Sequence, residues 1–418
     1  MSSVWILLVF LLTYAGVAAG RLPWLRIDRT GIALLGLTLL LLTVLSLDEF
    51  GGSIDMSTLL LLFALMIISS QFVHSGFCDA VFERIAHAQG GPVRMLGLTV
   101  ALTGAMAAFL ANDIFVFAAA PLVLDAARER GYDPRPFLIA LIAAANAGSA
   151  ATIIGAPQTI IIGELGGLRL PMYLLACGIP AMFALASVYV AIVLVWNGRF
   201  EAEHAAGEPP PPPHRPHNRN QTNLGIVALA CLLTLFCTDL AKDVWALGIA
   251  ALPLLFNRTL TTRAVIAGVD WPLLLLVACL FGVTGALGPT GLLGALADRL
   301  QMAGMAPTNL LLLSPLVLLM GSTIGNVPGT ILFLQIWKNP PPGTLFALAL
   351  LSTLAGNLLL IASLSNVIIA ERAAERGVVL GHREFARVGI PVTLASLAFA
   401  IFWLWAIGLV PLLPGGSP

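Results

Sequence analysis

Twelve apolar runs joined by short polar segments make up most of the chain, and their lengths constrain the fold more than any other feature. They fall at residues 3–19, 31–47, 57–75, 94–127, 136–163, 172–196, 223–239, 242–256, 271–288, 308–337, 344–370 and 389–411. A helix needs about 20 mostly apolar residues to cross a hydrocarbon core of about 30 Å. Residues 94–127 exceed this, since a straight helix of that length would measure about 51 Å. Such a run must break or fold back. It carries Asn112-Asp113 near its middle, and the run 308–337 carries Gly321, Ser322, Thr323, Gly325, Asn326 and Pro328 near its own. Both read as re-entrant helical hairpins with polar tips, and the other ten runs as single crossings.

Composition agrees. The chain is 59% hydrophobic and 10% charged, against roughly a quarter charged in a soluble domain. This excludes a soluble globular enzyme. Lys plus Arg equals Asp plus Glu at 21 each, so there is no basic surface for nucleic acid. The five cysteines form no CxxC pair and have no histidine at metal-ligand spacing, so no metal site or disulfide framework is readable. The stretch from Met1 to Gly20 has no basic region before its apolar run and reads as a first span, not a signal peptide. With each hairpin returning to its own side, 17 of the 21 basic residues share one side, and only Arg169, Lys242, Arg299 and Lys338 lie on the other. Positive residues stay cytoplasmic, so both termini are expected outside, in a bacterial inner (plasma) membrane.

The first hairpin then opens from the cytoplasm and the second from outside. SIDMSTLLLLFAL from Ser53 matches GVDWPLLLLVACL from Gly268, and AGSAATIIGAPQTIII from Ala147 matches AGNLLLIASLSNVIIA from Ala355. The expected fold is an all-α polytopic membrane protein of two inverted-topology repeats. Each repeat has five spanning helices and one hairpin, with broken helices at mid-membrane. Residues 1–196 form the first repeat, 197–222 a cytoplasmic linker containing Pro209 to Pro213, and 223–418 the second repeat.

Of the 21 acids, only Asp113 falls at membrane depth by this reading. An ionisable group there is costly, about 2.5–3.5 kcal/mol on insertion scales, and functional by default. A carboxylate at Asp113 can exchange a proton or a cation as access alternates. The competing reading is an N-cap for a helix from Ile114. Asn112 precedes it, and Asn326 occupies the matching place in the second tip, where Val327 stands in place of the acid. The run 136–163 carries Asn146, Ser149, Thr152, Gly155, Pro157 and Gln158. Pro157 removes a backbone donor and Gly155 permits unusual dihedrals, so that helix should unwind. Its partner run offers Asn357, Ser363, Ser365 and Asn366 but no proline. Small residues such as Gly148 also serve close helix packing. Asp55 and Asp270, each opening the third span of its half, read as N-caps.

The hairpin FLANDIFVFAAAPLVL from Phe109, the broken span ANAGSAATIIGAPQTIII from Ala145, the paired DM and DW starts and the GNVPGT tip resemble the ion transporter superfamily. The resemblance covers nearly the whole chain and is nearest the arsenite permease and sodium/proton antiporter branch, related to divalent-anion/sodium symporters and citrate transporters. It implies a scaffold domain and a moving transport domain, usually in a homodimer. The implied substrate and ion sites lie at Asn112 and Asp113, at Ser149 to Gln158, at Ser322, Thr323, Asn326 and Thr330, and at Asn357 with Ser363 to Asn366. Sodium/dicarboxylate members carry Ser-Asn-Thr at both tips, where this chain has Ala111-Asn112-Asp113 and Gly325-Asn326-Val327.

The expected function is secondary active transport of a small anion or oxyanion-type solute, arsenite-permease-like or divalent-anion-like, by elevator-like alternating access. Na+ or H+ is the expected coupling ion, with no cofactor and no resident metal. The alternative is a sodium/proton antiporter using Asp113. An enzyme is not expected, because there is no HExxH, no nucleophile beside a base and no paired acids. The lipid bilayer and the solute are the expected partners, with a second copy of the chain.

Overall fold

In a bilayer, backbone amides find no water, so a spanning segment must satisfy its own hydrogen bonds as helix. The computed structural model obeys this rule. It describes residues 2–22, 27–201, 216–238, 240–256 and 260–413, so residues 202–215, which hold most of the expected linker, lie outside the described residues. Among these there are twenty α-helices and one two-residue β-pair, Arg21–Leu22 with Ile27–Asp28.

Ten helices precede the linker. They are α1 (Ser2–Ala19), α2 (Arg29–Thr43), α3 (Leu47–Ser53), α4 (Met56–His74), α5 (Phe77–Ala86), α6 (Pro92–Phe109), α7 (Asn112–Glu129), α8 (Pro134–Ser149), α9 (Pro157–Leu165) and α10 (Leu170–Val195). Ten follow it: α11 (Arg219–Leu235), α12 (Lys242–Phe256), α13 (Thr262–Ala267), α14 (Trp271–Gly285), α15 (Leu292–Met302), α16 (Leu310–Thr323), α17 (Asn326–Ile336), α18 (Pro342–Ala355), α19 (Leu364–Glu375) and α20 (His382–Ala406). Five segments are long and apolar enough to cross a membrane: α4, α6, α10, the stretch Trp271–Thr290 and α20. Four short helices outside the apolar runs, α3, α5, α13 and α15, were not expected. Their polar residues mask them from a search for spans.

The two overlong runs are each divided. Leu110 and Ala111 leave helical geometry between α6 and α7, and the Ala111 N–H is taken up by Ser69 Oγ of α4 at 2.8 Å. Between α16 and α17, Gly325 adopts φ +101°, a conformation other residues resist. The expected break before Pro157 is present, with Pro157 opening α9. A fourth break, the one the sequence signalled weakly, separates α18 from α19.

Two central helices lead into the third and fourth breaks. Every residue of α8 from Pro136 to Ser149 is buried, as is every residue of α18 from Gly343 to Ala355. Helices apolar all round belong in the middle of a bundle. The two ends are tied by three asparagines. Asn146 Nδ2 donates to Asn357 Oδ1 and to Asn366 Oδ1, each at 2.9 Å. Asn357 Nδ2 then donates to the Ala143 carbonyl at 3.1 Å, and Asn366 Nδ2 to the carbonyls of Gly356 at 2.8 Å and Leu359 at 3.2 Å. The Gly356 and Leu359 carbonyls, freed where α18 stops, are thereby satisfied. Threonines do the same in the third break: Thr159 Oγ1 donates to the Ile153 and Ala156 carbonyls at 2.8 and 2.7 Å, and Thr152 Oγ1 donates to the Ala108 carbonyl.

Helices α6 and α8 meet backbone to backbone. A Cβ on Gly148 would stand 2.6 Å from Gly104 Cα. Near the ends of the same bundle, Arg376 of the α19 terminus holds Asp125 of α7 at 2.8 and 2.9 Å, and Arg135 of α8 joins Asp133 and Glu384.

Gly148→Ala is therefore expected to lower the melting temperature of the detergent-solubilised protein, at a cost at or above the ~1–3 kcal/mol of ordinary overpacking. Gly178→Ala, with no heavy atom within 4 Å of the added carbon, should leave it unchanged; equal melting temperatures for the two variants would refute the backbone contact. Asn146→Leu orphans two buried carbonyls at about 1–3 kcal/mol each. Its melting curve should fall clearly below that of Asn220→Leu, an exposed position.

Candidate functional site

Helix starts expose unpaired N–H groups and a partial positive charge, and the four breaks bring four such starts to one place. The starts of α7, α9, α17 and α19 border a cavity of about 520 Å³. Of the residues singled out in the sequence, Asn112, Asp113, Pro157, Gln158, Ser322, Thr323, Asn326, Ser363 and Ser365 line it. Asn146, Ser149, Thr152, Gly155, Asn357 and Asn366 do not; they are the packing and hydrogen-bonding layer behind its wall. Gly155 is held against the end of α8, where a Cβ would lie 2.6 Å from Ser149 Cα. Thr330 borders a separate void of about 10 Å³ with Asn326 and Ser352.

Asp113 is 9% exposed and sits in the first turn of α7. The competing reading of Asp113 as an N-cap does not hold. Residue Ala111 occupies the cap position without a side-chain bond, and the Asp113 carboxylate instead accepts a hydrogen bond from the Ser365 hydroxyl of α19. The carboxylate thus links the first break to the fourth. Gln158 Nε2 donates to Thr353 Oγ1 of α18 at 3.1 Å, a second tie across the same two halves. Among the described residues, the buried Oδ1 atoms of Asn112 and Asn326 and the Thr330 hydroxyl have no hydrogen-bond partner.

Asp55 and Asp270 cap α4 and α14 as expected, accepting from Thr58 N at 2.6 Å and Leu273 N at 3.0 Å. Asp270 does more. It lines the 520 Å³ cavity and also a second one of about 790 Å³, which reaches past Ser70, His74, Asp79 and Glu375. Asp113, Asp270, Pro272, Ile368 and Glu371 border both cavities, so Asp113 stands at their junction.

Sequence reasoning missed two contributors from outside the breaks. Asp28 and Arg29, at the start of α2, line the central cavity. Their place directly before an apolar run is the position from which a helix start can face a site. The charged residues of the central cavity are Asp28, Arg29, Asp113, Asp270 and Glu371, four acids and one base.

A family model described as citrate transporter matches residues 7–340. An uncharacterized transporter of Mycobacterium tuberculosis is 28% identical, over 95% of this chain and 97% of its own. The silicon efflux transporter LSI3 of rice, Oryza sativa, is 26% identical over 91% of this chain and 93% of its own. In fold, the chain is similar to the YdaH transporter of Alcanivorax borkumensis, with a TM-score of 0.61 at 15% identity, covering 98% of this chain and all of the other. The resemblance to the ion transporter superfamily, with citrate transporters among its members, is thus met. With most of its length matched by that model, the chain belongs to the citrate transporter family of membrane transporters.

Proposed function

We propose that the protein is a secondary active transporter of a small anion or oxyanion-type solute, coupled to protons or sodium through Asp113. The observation that carries this reading is the convergence of four helix starts and a buried carboxylate on one cavity. Helix starts suit the oxygen atoms of an acid, amides and hydroxyls from Asn112, Gln158 and Ser363 suit its remaining polar groups, and the carboxylate suits a coupling cation. A relative that exports silicon fits a small hydroxylated acid as cargo.

Alternating access is supported by the order of elements. Each half has ten helices, and corresponding members agree in kind: α5 and α15 both start from a glycine with positive φ, Gly76 at 71° and Gly291 at 69°. The pairing of α4 with α12 is matched by that of α14 with α2, as exchange of two like halves requires. In this reading residues 1–196 and 223–418 are inverted repeats, α6–α7 and α16–α17 are the re-entrant hairpins, and the hairpins move with the broken helices in an elevator-like stroke. The arginine-rich side is cytoplasmic. Both termini are then external in the inner membrane, and the chain works as a homodimer.

A second reading, sodium/proton exchange, draws on the acids Asp113, Asp270 and Glu371 at the junction of the two cavities. Everted vesicles separate the two. Under the solute reading, a proton gradient is dissipated on adding citrate, sulfate or arsenite; under the exchange reading, sodium alone suffices. In either case Asp113→Asn should abolish pH-dependent coupled transport while leaving the chromatographic profile of the purified protein intact. A pH dependence identical to wild type would remove Asp113 from the mechanism.

A further inference from the structure

The central cavity holds one basic side chain, and its surroundings differ from those of the acids beside it. Asp28 Oδ1 accepts from the Gly31 N–H at 2.9 Å, Asp270 Oδ1 from the Leu273 N–H at 3.0 Å, and Asp113 from the Ser365 hydroxyl. Three carboxylates are therefore engaged by donors. Arg29 is half-buried, and among the described residues its guanidinium has no hydrogen-bond or ion-pair partner. A guanidinium in such a place, with five N–H donors and a permanent charge, is a costly thing to leave unused.

Two glycines also approach it closely. Gly20, at the end of α1, and Gly325, in the second break, both have positive φ, and a Cβ on either would stand 3.7 and 3.6 Å from Arg29 atoms. The guanidinium thus lies between two stretches of bare backbone. One of them runs directly into the start of α17, which has no side-chain cap. The stem of Arg29 is fixed by its own helix, since Thr30 Oγ1 donates to the Pro272 carbonyl at 3.2 Å and ties the start of α2 to the start of α14.

We propose that Arg29 is the anion-recognition residue of the cavity, and that the solute enters with a charged oxygen against its guanidinium. This rests on the transporter reading above and names the side chain that recognises the anion. A planar guanidinium holds a carboxylate or an inorganic oxyanion through paired N–H bonds. Because α2 carries none of the breaks, Arg29 supplies a recognition element apart from the four helix starts. Asp113 remains free to carry the coupling ion.

Thermal-shift titrations of the purified full-length protein at pH 7 test this with citrate as the carboxylate, sulfate as the inorganic oxyanion and arsenous acid as the uncharged control. Wild type should be stabilised by citrate or sulfate, whichever it takes, and Arg29→Gln should weaken that binding roughly ten- to a hundredfold. Arg29→Lys should recover part of it, and the melting temperatures of both variants without ligand should match wild type. In proteoliposomes, Arg29→Gln should raise KM for the same anion with kcat little changed. Unaltered anion affinity in Arg29→Gln, or stabilisation of wild type by arsenous acid alone, would overturn the proposal, as would no shift with any of the three. An anion shift that depends on Arg29 without transport by the wild type would instead uphold it and sink the transporter reading.

Discussion

A helix that stops in the buried middle of a bundle leaves carbonyls with nowhere to go, and everything about this molecule's centre depends on how they are accommodated. The Asn146, Asn357 and Asn366 side chains share this work with Thr152 and Thr159, each amide supplying the backbone or another asparagine with a partner. Unsatisfied backbone in hydrocarbon costs several kcal/mol per group. The broken helices are therefore tolerable only while these three amides stay together. The cavity lies in front of this layer, and its lining residues are free to meet a solute because other residues carry the structural load.

That division separates two kinds of polar residue that a sequence presents as one. Asn146 and Asn112 look equivalent as intramembrane amides, yet one is consumed by the fold and the other has an unpaired Oδ1 beside the cavity. Gln158 stands between the two roles, lining the cavity while donating to Thr353.

Much of the fold is legible in the residues. Run lengths expose the two divided segments, and Gly155-Ala156-Pro157 announces the third break through dihedral freedom and a missing donor. The fourth break is faint because its cause is not local. It has no proline, and the asparagines that stabilise it bind across a gap of more than two hundred residues. The same limit applies to Asp113, whose donor, Ser365, lies 252 positions away, so the neighbouring residues leave a cap open as an alternative that the folded chain does not make. Arg29 was visible as a charge but not as a wall of the cavity, since only the packing of α2 on α14 brings it there.

The contact of Gly148 with Gly104 carries a mechanical consequence. Where two helices touch through their backbones, no layer of side chains lies between them to shear or repack, and the joint has one position. Helices α6 and α8 must then travel together, as a single stiff piece that includes the start of the third break. In the alternating-access reading proposed above, motion falls on surfaces padded by side chains and not on this joint.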